Sequence, residues 1–425
     1  MGYLSRRQFL FAGAALCSAS VLSRASAEAR GQRVVIVGAG WAGLTAARAL
    51  RRLAPDLDVT VVDRSAEFRA LSLSNAWLVG LGGEPRRQAH VTTARFFGYR
   101  FLQGEVVGID RDRRQVATRQ DVLPYDWLVI APGVRNDYSA WFGGDARSAA
   151  EARDRFPAGI HAEDLDGVRR KIAEFLGGDF VMVLPPGPSR CPPAPYERAV
   201  MMAWSFRRRG LKARVVVVDP GGGIQAFNRV FAERYADTIV HMTHAPVKAV
   251  DPFGRTIATE FDDIRFDDAI LMPRQQAADL AWRAGLVTAA SDQPAGWAGI
   301  DPLRLNVPGD ERIFLAGDLI DRVSPLFGHY PKNGHVASRL GRIVAGEIAA
   351  RARGETAAPS LPESVCHVFT DVDPREAVRL EADYRLRADG VIMQAVRQHN
   401  EPQPRGEADA WARSMYAEFL APDGA

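Results

Sequence analysis

Cysteine is scarce in this chain, and long apolar runs are lacking. The 425 residues include three cysteines, and no apolar run is long enough to cross a bilayer. No Cys-x-x-Cys-His motif occurs, so the sequence offers no attachment site for a c-type haem. An excess of one charge is also lacking, because the sequence contains 54 basic and 51 acidic side chains. This balance gives no reason to expect nucleic acid as a partner.

The length and the apolar content set the size of the fold. With 425 residues, of which 47% are hydrophobic, the chain can bury large cores. Two or three domains are expected for such a length. The order of strand-like and helix-like segments described below predicts an α/β protein.

The stretch Arg33–Asp63 organises the N-terminal part of the chain. Val34–Val37 form a short β-branched apolar run, which indicates a buried parallel strand. Ala42–Leu53 have apolar residues at helical spacing, and a second strand, Val59–Val62, follows. The order strand, helix, strand predicts a βαβ unit.

Three glycines join the first strand of this unit to its helix. Gly38 permits a tight turn, Gly40 lets a pyrophosphate approach the backbone, and Gly43 lets the helix pack closely on the strand. Asp63 ends the second strand, where an acidic side chain meets the ribose hydroxyls of a dinucleotide. Glycines needed only for a turn are the alternative, which the complete βαβ context disfavours.

The first 27 residues read as an export signal. Arg6 and Arg7 precede a short apolar segment, and Ala25-Ser26-Ala27 resembles a cleavage site. The pattern is typical of the twin-arginine route and predicts a periplasmic protein; a structural N-terminal helix is the alternative. A lipid anchor at Cys17 is disfavoured by the residues before it. Removal of residues 1–27 lowers the formal charge from +3 to about 0.

The next segments complete the first dinucleotide site. Phe68–Gly83 is irregular, and the strand-like run Tyr99–Ile109 contains Val106, a further candidate for cofactor contact. A strand then ends at Ala131-Pro132-Gly133. In flavoproteins with two dinucleotide domains such a turn approaches the flavin nucleotide, so Gly133 is another candidate.

A second βαβ unit has the layout of a nucleotide site without its chemistry. Asp166 can cap a helix that runs to about Leu176, after which Phe180–Leu184 form a strand. A helix over Tyr196–Arg209 and a strand over Ala213–Val218 follow. The connecting loop contains six prolines, which lack N–H groups and cannot cradle a pyrophosphate. An electron donor other than NAD(P)H is therefore expected.

The chain then returns to the first domain. Ile313–Leu315 predict a strand, and Asp318, just beyond it, is placed to bond the ribityl chain of FAD. The N-terminus of the predicted helix Gly334–Ala352 is expected to point at the pyrimidine end of the flavin and to help stabilise an anionic reduced flavin. Lys332, just before this helix, is a second candidate for the same role. A solvated lysine is the alternative. Residues 353–362 read as a linker.

A metal site is not expected. His241 and His244 lie in a predicted strand, and no carboxylate or cysteine partner is expected near them.

The assembled motifs resemble a known family. The run from Cys191 to Ala199, CPPAPYERA, looks like the redox-cysteine loop of the flavoprotein subunit of flavocytochrome c sulfide dehydrogenase. Supporting motifs are the twin-arginine signal, Ala131-Pro132-Gly133, Ala316-Gly317-Asp318 and Pro331-Lys332-Asn333-Gly334. The family is related to sulfide:quinone oxidoreductases and to glutathione reductase-like enzymes.

The resemblance implies a site and a reaction. Cys191 and Cys366 are expected to form a redox-active disulfide beside FAD, oxidising sulfide and passing electrons to a c-type cytochrome on a separate chain. Glu197 matches the proposed base of the family. The alternatives are a structural disulfide and an ordinary carboxylate at a helix start. Ala70–Asn75 contain no cysteine where flavocytochrome c attaches its flavin, so FAD is expected to bind non-covalently.

The resulting fold prediction is two Rossmann-like domains, as in glutathione reductase, with a small C-terminal flavin-capping domain. The FAD domain is expected over residues 31–145 and 286–356, the degenerate NAD-like domain over 146–285, and the cap over 357–425. Trp411 is expected to cover the flavin, because Met415 stands where relatives have tryptophan. Two other functions stay open: a flavoenzyme using another thiol reductant, and a non-catalytic flavoprotein that activates a periplasmic sulfur-oxidising complex.

Overall fold

The computed structural model describes residues 31–287, 296–422 and 424–425, so the predicted export signal, residues 1–27, lies outside the described residues. The first third of the described chain alternates strands with helices. Its elements are β1 (Arg33–Val37), α1 (Trp41–Leu53), β2 (Asp58–Asp63), β3 (Glu67–Arg69), α2 (Ser74–Leu78), β4 (Arg87–Ala89), α3 (His90–Phe97), β5 (Arg100–Gln103), β6 (Val106–Asp110), β7 (Gln115–Thr118), β8 (Val122–Pro124) and β9 (Trp127–Ile130).

The middle of the chain forms a second α/β unit. Its elements are β10 (Val134–Asp137), α4 (Ser139–Phe142), α5 (Ala146–Arg155), a short 3-10 helix (Ala162–Asp164), α6 (Leu165–Glu174), β11 (Gly178–Val183), α7 (Ala194–Arg208), β12 (Ala213–Val218), α8 (Gln225–Arg234), β13 (Ile239–Met242), β14 (Ala249–Asp251), β15 (Thr256–Ala258), β16 (Asp263–Arg265), β17 (Asp268–Leu271), β18 (Arg274–Ala277) and α9 (Asp279–Arg283).

The last part of the chain returns to the first unit and then adds a small antiparallel sheet. Its elements are β19 (Asn306–Val307), β20 (Asp310–Leu315), α10 (Gly334–Ala352), β21 (Glu363–Val372), β22 (Arg375–Leu386), β23 (Ile392–Glu401) and α11 (Glu407–Tyr416). In this last segment the sequence predicted a cap but no strands.

Two mainly parallel sheets form the framework. The first has the order β19-β20-β9-β1-β2-β5, in which only the pair β19-β20 is antiparallel. The second has the order β13-β12-β11-β17, and all of its pairs are parallel. The α/β class and the two Rossmann-like units predicted from the sequence are confirmed. In such sheets, ligands bind beyond the carboxyl ends of the strands.

The carboxyl ends of four strands bring the predicted cofactor motifs to one edge of the first sheet. Strands β1, β2, β9 and β20 are neighbours, and they end just before Gly38, at Asp63, before Ala131 and before Ala316. Helices α1 and α10 pack closely there, because a Cβ on Gly341 would lie 2.2 Å from the Ala42 carbonyl oxygen.

The C-terminal sheet β21-β22-β23 is antiparallel and docks on the second unit. Strand β21 contacts α7, α8 and α10. Asp371 at the end of β21 is fully buried and bonds both Arg234 and the Tyr235 hydroxyl of the segment that ends α8. This docking positions Cys366, which lies in the middle of β21.

Three local predictions were wrong. The irregular stretch Phe68–Gly83 contains α2, and the single run Tyr99–Ile109 is two strands, β5 and β6, which belong to different sheets. Asp166 does not cap α6, because the helix already begins at Leu165, and the Asp166 carboxylate instead pairs with Arg69 at 2.8 Å.

Among the described residues, no helix combines the length and the apolar character that a bilayer span requires.

Candidate active site

Two adjoining cavities lie at the carboxyl edge of the first sheet. The inner one, of about 360 Å³, reaches α7, β21 and α11, and the outer one, of about 960 Å³, reaches β6, β10 and α9. They share Gly38, Asp63, Pro132 and Arg190 among their lining residues. An elongated ligand therefore has space to run from the strand edge toward the C-terminal sheet.

The glycine loop after β1 opens on the inner cavity. A Cβ on Gly38 would lie 2.3 Å from the Ala131 carbonyl oxygen, and one on Gly43 would lie 1.8 Å from that of Gly38. Both positions therefore require glycine for close packing, and Gly38 also has φ +105°. A Cβ on Gly40 would meet no atom within 4 Å, because this glycine faces the cavity.

The N-terminus of α1 begins at this loop and has no side-chain cap, and its first residues line the inner cavity. Uncapped helical N–H groups attract anions. The loop and the helix start therefore fit a pyrophosphate.

The other predicted contacts on the first unit lie along the two cavities. Asp63 lines both cavities, and its Oδ2 accepts a hydrogen bond from the Ala39 N–H at 2.7 Å. Val106 lines the outer cavity, and Gly133, with φ +75°, lines the inner one. Asp63 and Val106 therefore suit the adenosine half of a dinucleotide, and Gly133 suits its middle.

Asp318 and Lys332 have different environments. Asp318 lines the inner cavity, and its Oδ2 pairs with the Arg190 Nε at 2.9 Å. The Lys332 ammonium instead donates to the carbonyl oxygens of Asp318 and Ile320, at 2.8 and 2.9 Å, and lies 3.7 Å from the centre of the Trp297 ring. Burial lowers the pKa of Lys332 to about 7.

The lining of the inner cavity near α10 comes from Asn333, Gly334 and His335, and Lys332 is not among the described lining residues. The Asn333 side chain caps α10 by accepting from the Val336 N–H at 2.9 Å. The helix start, rather than the lysine, therefore faces the predicted flavin position.

Cys191 and Cys366 meet at the inner cavity, although they are far apart in sequence. Cys191 has φ +43°, and its N–H donates to the Lys332 carbonyl oxygen at 2.7 Å. A hydrogen bond with Cys191, reinforced by burial, raises the pKa of the Cys366 thiol well above its ordinary value. Both residues are free thiols in the structure. The pair is adjacent, and the disulfide itself stays a prediction.

Glu197 lies in the first turn of α7 and is 6% exposed. Its Oε1 accepts from the Phe369 N–H of β21 at 2.8 Å, and its Oε2 accepts from the Asn75 amide at 2.6 Å. Burial raises its pKa to about 7, while these two hydrogen bonds act in the opposite direction. A carboxyl group with this pKa can exchange a proton near neutral pH.

Arg198 and Asn75 are two residues of this site that sequence reasoning did not select. Arg198 is 5% exposed and lines the inner cavity. Its Nε donates to the Asn75 oxygen at 3.0 Å, and burial lowers its pKa to about 10. The only signal in the sequence was the place of Arg198 next to Glu197 in the cysteine-loop motif.

In the second unit, the carboxylate of Asp219, which follows strand β12, is bound by residues of the same unit. Asp219, just after β12, accepts hydrogen bonds from the Tyr196 hydroxyl at 2.6 Å and the Gly221 N–H at 2.7 Å, and pairs with the His241 Nε2 at 3.0 Å. Although burial acts to raise it, hydrogen bonds from His241 and Tyr196 lower the pKa of Asp219. The expectation that His241 has no carboxylate nearby was therefore wrong.

No group of three metal-binding side chains occurs in the part of the chain that the structure describes.

The C-terminal helix closes the inner cavity on one side. Trp411 and Met415 line the cavity. Tyr416 packs on Trp41 of α1, with their ring centres 5.6 Å apart. The predicted tryptophan is therefore in place at the cavity wall.

Two family models match this chain. Residues 168–273 match the central part of the sulfide dehydrogenase [flavocytochrome c] flavoprotein chain, and residues 32–154 match the pyridine nucleotide-disulphide oxidoreductases.

Two curated relatives belong to different enzyme types. A sulfide-quinone reductase of Aquifex aeolicus is 28% identical over 52% of this chain and 53% of its own length. A type II NADH:quinone oxidoreductase, NdhA, of Mycobacterium tuberculosis is 27% identical over 68% of this chain and 66% of its own. The chain thus spans about half to two thirds of the length of these relatives.

The solved structures show the same fold. The sulfide:quinone oxidoreductase from Aquifex aeolicus superimposes with a TM-score of 0.74 at 20% identity, over 92% of this chain and 93% of that one. An NAD-dependent persulfide reductase from A. fulgidus superimposes with a TM-score of 0.60 at 17% identity, over 91% of this chain and 77% of that one.

The cofactor follows from these relationships and from the cavity. The pyridine nucleotide-disulphide oxidoreductase match and the sulfide-quinone reductase relatives imply FAD, and the glycine loop fits its pyrophosphate. The resemblance predicted from the sequence is confirmed: this chain is similar to the flavoprotein chain of flavocytochrome c sulfide dehydrogenase and to sulfide-quinone reductase.

Proposed function

We propose that this protein is a periplasmic FAD-dependent sulfide dehydrogenase. The observation that carries the proposal is the meeting of Cys191, Cys366 and Glu197 at the inner end of a cavity that continues to a dinucleotide-binding loop. Two segments that are far apart in sequence supply these side chains: residues 191–197, which form the end of the loop before α7 and its first turn, and strand β21.

FAD is proposed to be held without a covalent bond. Gly40 and the start of α1 suit the pyrophosphate, Asp63 and Val106 the adenosine half, and Asp318 and Gly133 the remainder. In the described residues the cysteines are Cys191 and Cys366, and neither lies in the segment Ala70–Asn75. When bound, FAD accepts two electrons and releases them to an acceptor.

The two cysteines are proposed to act as a redox pair. In the oxidised pair, hydrosulfide attacks one sulfur, the S–S bond breaks, and the products are a persulfide on that cysteine and a thiolate on the other. Over a full cycle, two hydrosulfide ions give one hydrodisulfide ion, one proton and two electrons, and the disulfide is restored. The electrons leave the cysteine pair toward the cofactor.

Glu197 is proposed to receive the proton of this reaction. Its carboxylate is held between Asn75 of α2 and the Phe369 N–H of β21. Phe369 lies three residues after Cys366 in the same strand. Since burial brings the pKa of Glu197 to about 7, the group can accept a proton and release it again near neutral pH.

The second unit supports a donor other than NAD(P)H. Asp219 stands where the ribose of a nicotinamide nucleotide would be bound, but its oxygens are engaged by Tyr196, His241 and Gly221. The proline-rich loop before α7 also lacks the N–H groups that bind a pyrophosphate.

A c-type cytochrome on a separate chain is proposed as the electron acceptor. The match to a flavocytochrome c flavoprotein chain supports it, and the twin-arginine segment supports a periplasmic location. The similarity to sulfide-quinone reductase makes a quinone the competing acceptor.

The proposal is tested by anaerobic titration of the purified FAD-loaded protein. Sulfide is expected to bleach the flavin absorbance, and NADH is expected to leave it unchanged. The sulfide-reduced protein is then mixed with cytochrome c or with a water-soluble quinone, and faster reoxidation by cytochrome c is expected. A flavin that stays yellow with excess sulfide contradicts the proposal and favours a non-catalytic flavoprotein partner.

A further inference from the structure

We propose that Asn75 is a positioning residue of this site, whose single amide fixes both the Glu197 carboxylate and the Arg198 guanidinium beside the cysteine pair. The inference deepens the proposed function and rests on the role given there to Glu197. Asn75 belongs to α2 of the first unit, whereas its two partners belong to α7 of the second. It is 4% exposed and lines the inner cavity.

The hydrogen bonds of Asn75 use both ends of its amide. Its Nδ2 donates to the Glu197 Oε2 at 2.6 Å and to the Ala194 carbonyl oxygen at 2.9 Å. Its Oδ1 accepts from the Arg198 Nε at 3.0 Å. A carboxamide offers a donor and an acceptor together, whereas a carboxylate lacks the donor and an alkyl group lacks both. The position therefore requires an amide for a chemical reason.

The contact with Asn75 favours the ionised form of Glu197. Hydrogen bonds to a carboxylate stabilise its charge against the cost of burial. The charged or titratable groups that act on Glu197 are Arg198 on its own helix and Cys366 on β21. Helix α2 contributes only the neutral amide. Loss of the Asn75 donor therefore leaves one hydrogen bond, from Phe369, to oppose desolvation.

The same amide holds Arg198 where its charge is not cancelled by a direct ion pair. The hydrogen-bond partners that the structure gives to Arg198 are neutral oxygens, those of Asn75, Gly159 and Ala158. A buried guanidinium held in this way stabilises negative charge nearby. Asp164, Glu197 and Cys191 interact electrostatically with it, in decreasing order of strength.

The experiment measures the pH dependence of cysteine alkylation rather than turnover. The FAD-loaded protein with both cysteines reduced is treated with iodoacetamide between pH 5.5 and 9, and the rate at Cys366 is followed by peptide mass spectrometry. The variants are Asn75→Ala and Asn75→Asp, with Glu197→Gln to identify the inflection that Glu197 causes. Asn306→Ala is the matched control, because buried Asn306 also accepts from an arginine and donates to a backbone oxygen, but lines neither cavity.

The expected result is an inflection near pH 7 in the wild-type rate, where Glu197 titrates, and its absence in Glu197→Gln. Asn75→Ala should move the inflection up by about one pH unit, the value of one lost hydrogen bond to a charged group. Asn75→Asp should move it further, because it adds a like charge. Asn306→Ala should leave it in place.

The proposal is overturned if the inflection is unchanged in either Asn75 variant while the circular dichroism spectrum of that variant is that of the wild type. It is also overturned if the alkylation rate of the wild type shows no inflection that the Glu197→Gln change removes. The proposed function fails separately: the alkylation shifts then appear as expected, but sulfide does not bleach the wild-type flavin.

Discussion

Individual side chains at this site are tuned by burial against a few hydrogen bonds. Glu197 is the clearest example, because desolvation raises its pKa to about 7 while Phe369 and Asn75 donate to its oxygens. The ionised form is therefore less stable in the folded protein than in the unfolded chain. This makes Glu197 both a suitable proton acceptor and a local cost to stability.

The stability effect of Glu197 has a defined direction with pH. A carboxyl group whose folded-state pKa is raised contributes stability below its unfolded pKa and loses it as pH rises through the folded pKa. Between pH 4.5 and 7 the wild type should therefore lose about 3 kcal/mol of unfolding free energy relative to Glu197→Gln. Urea unfolding of both proteins across this pH range measures the difference. A constant difference would show that Glu197 is not the group that titrates.

The glycines of the first loop allow a matched comparison. Gly40→Ala should fold normally but retain less FAD, because its methyl group enters space that faces the cavity. Gly43→Ala should lower the melting temperature even without FAD, because its Cβ would lie 1.8 Å from the Gly38 carbonyl oxygen. The FAD-to-protein ratio and the melting temperature of each apoprotein separate the two roles. Equal effects of the two changes on folding would contradict this assignment.

Secondary structure elements differ in how far the sequence could predict them. Helix α10 was predicted over Gly334–Ala352 and is found there, and in the structure the Asn333 side chain caps its start. The first βαβ unit was predicted equally well from its glycines. The strands of the C-terminal sheet were missed: β23 is largely exposed, so its pattern lacks the buried alternation that indicates a strand.

The side-chain contacts of the site were harder to predict than its elements. The cysteine loop named Cys191 and Glu197, but Asn75 and Arg198 acquire their roles only through a contact between α2 and α7. Lys332 was predicted to face the flavin because of its place before α10. Its ammonium instead satisfies two carbonyl oxygens and packs on Trp297.

The docking of β21 on α8 should control the position of Cys366. Arg234→Met would leave the fully buried Asp371 without its ion-pair partner and should cost about 3 kcal/mol of stability. Arg229→Met is the matched control on the same helix, because Arg229 is half-exposed and its loss should cost about 0.5 kcal/mol or less. Hydrogen exchange should increase in β21 only for Arg234→Met. Equal exchange in both variants would argue against this anchor.

At the level of the whole protein, the reaction site exists only after long-range assembly. The dinucleotide edge comes from the first unit, Glu197 from α7, and the second cysteine from a C-terminal sheet. The sequence predicted this combination through a family resemblance, since no local pattern places Cys366 beside Cys191. The internal hydrogen bonds of Asp219 support the proposal that the electron donor is not a pyridine nucleotide.

The most direct test of the account is the rate at which sulfide reduces the bound flavin under anaerobic conditions, compared among wild type, Cys191→Ser and Cys366→Ser. Rapid-mixing absorbance is the measurement, with the flavin content of each protein matched beforehand. The account predicts rapid bleaching in the wild type and a loss of at least about 100-fold in each variant, because neither serine can form the disulfide that hydrosulfide attacks. Wild-type rates in either serine variant would contradict it.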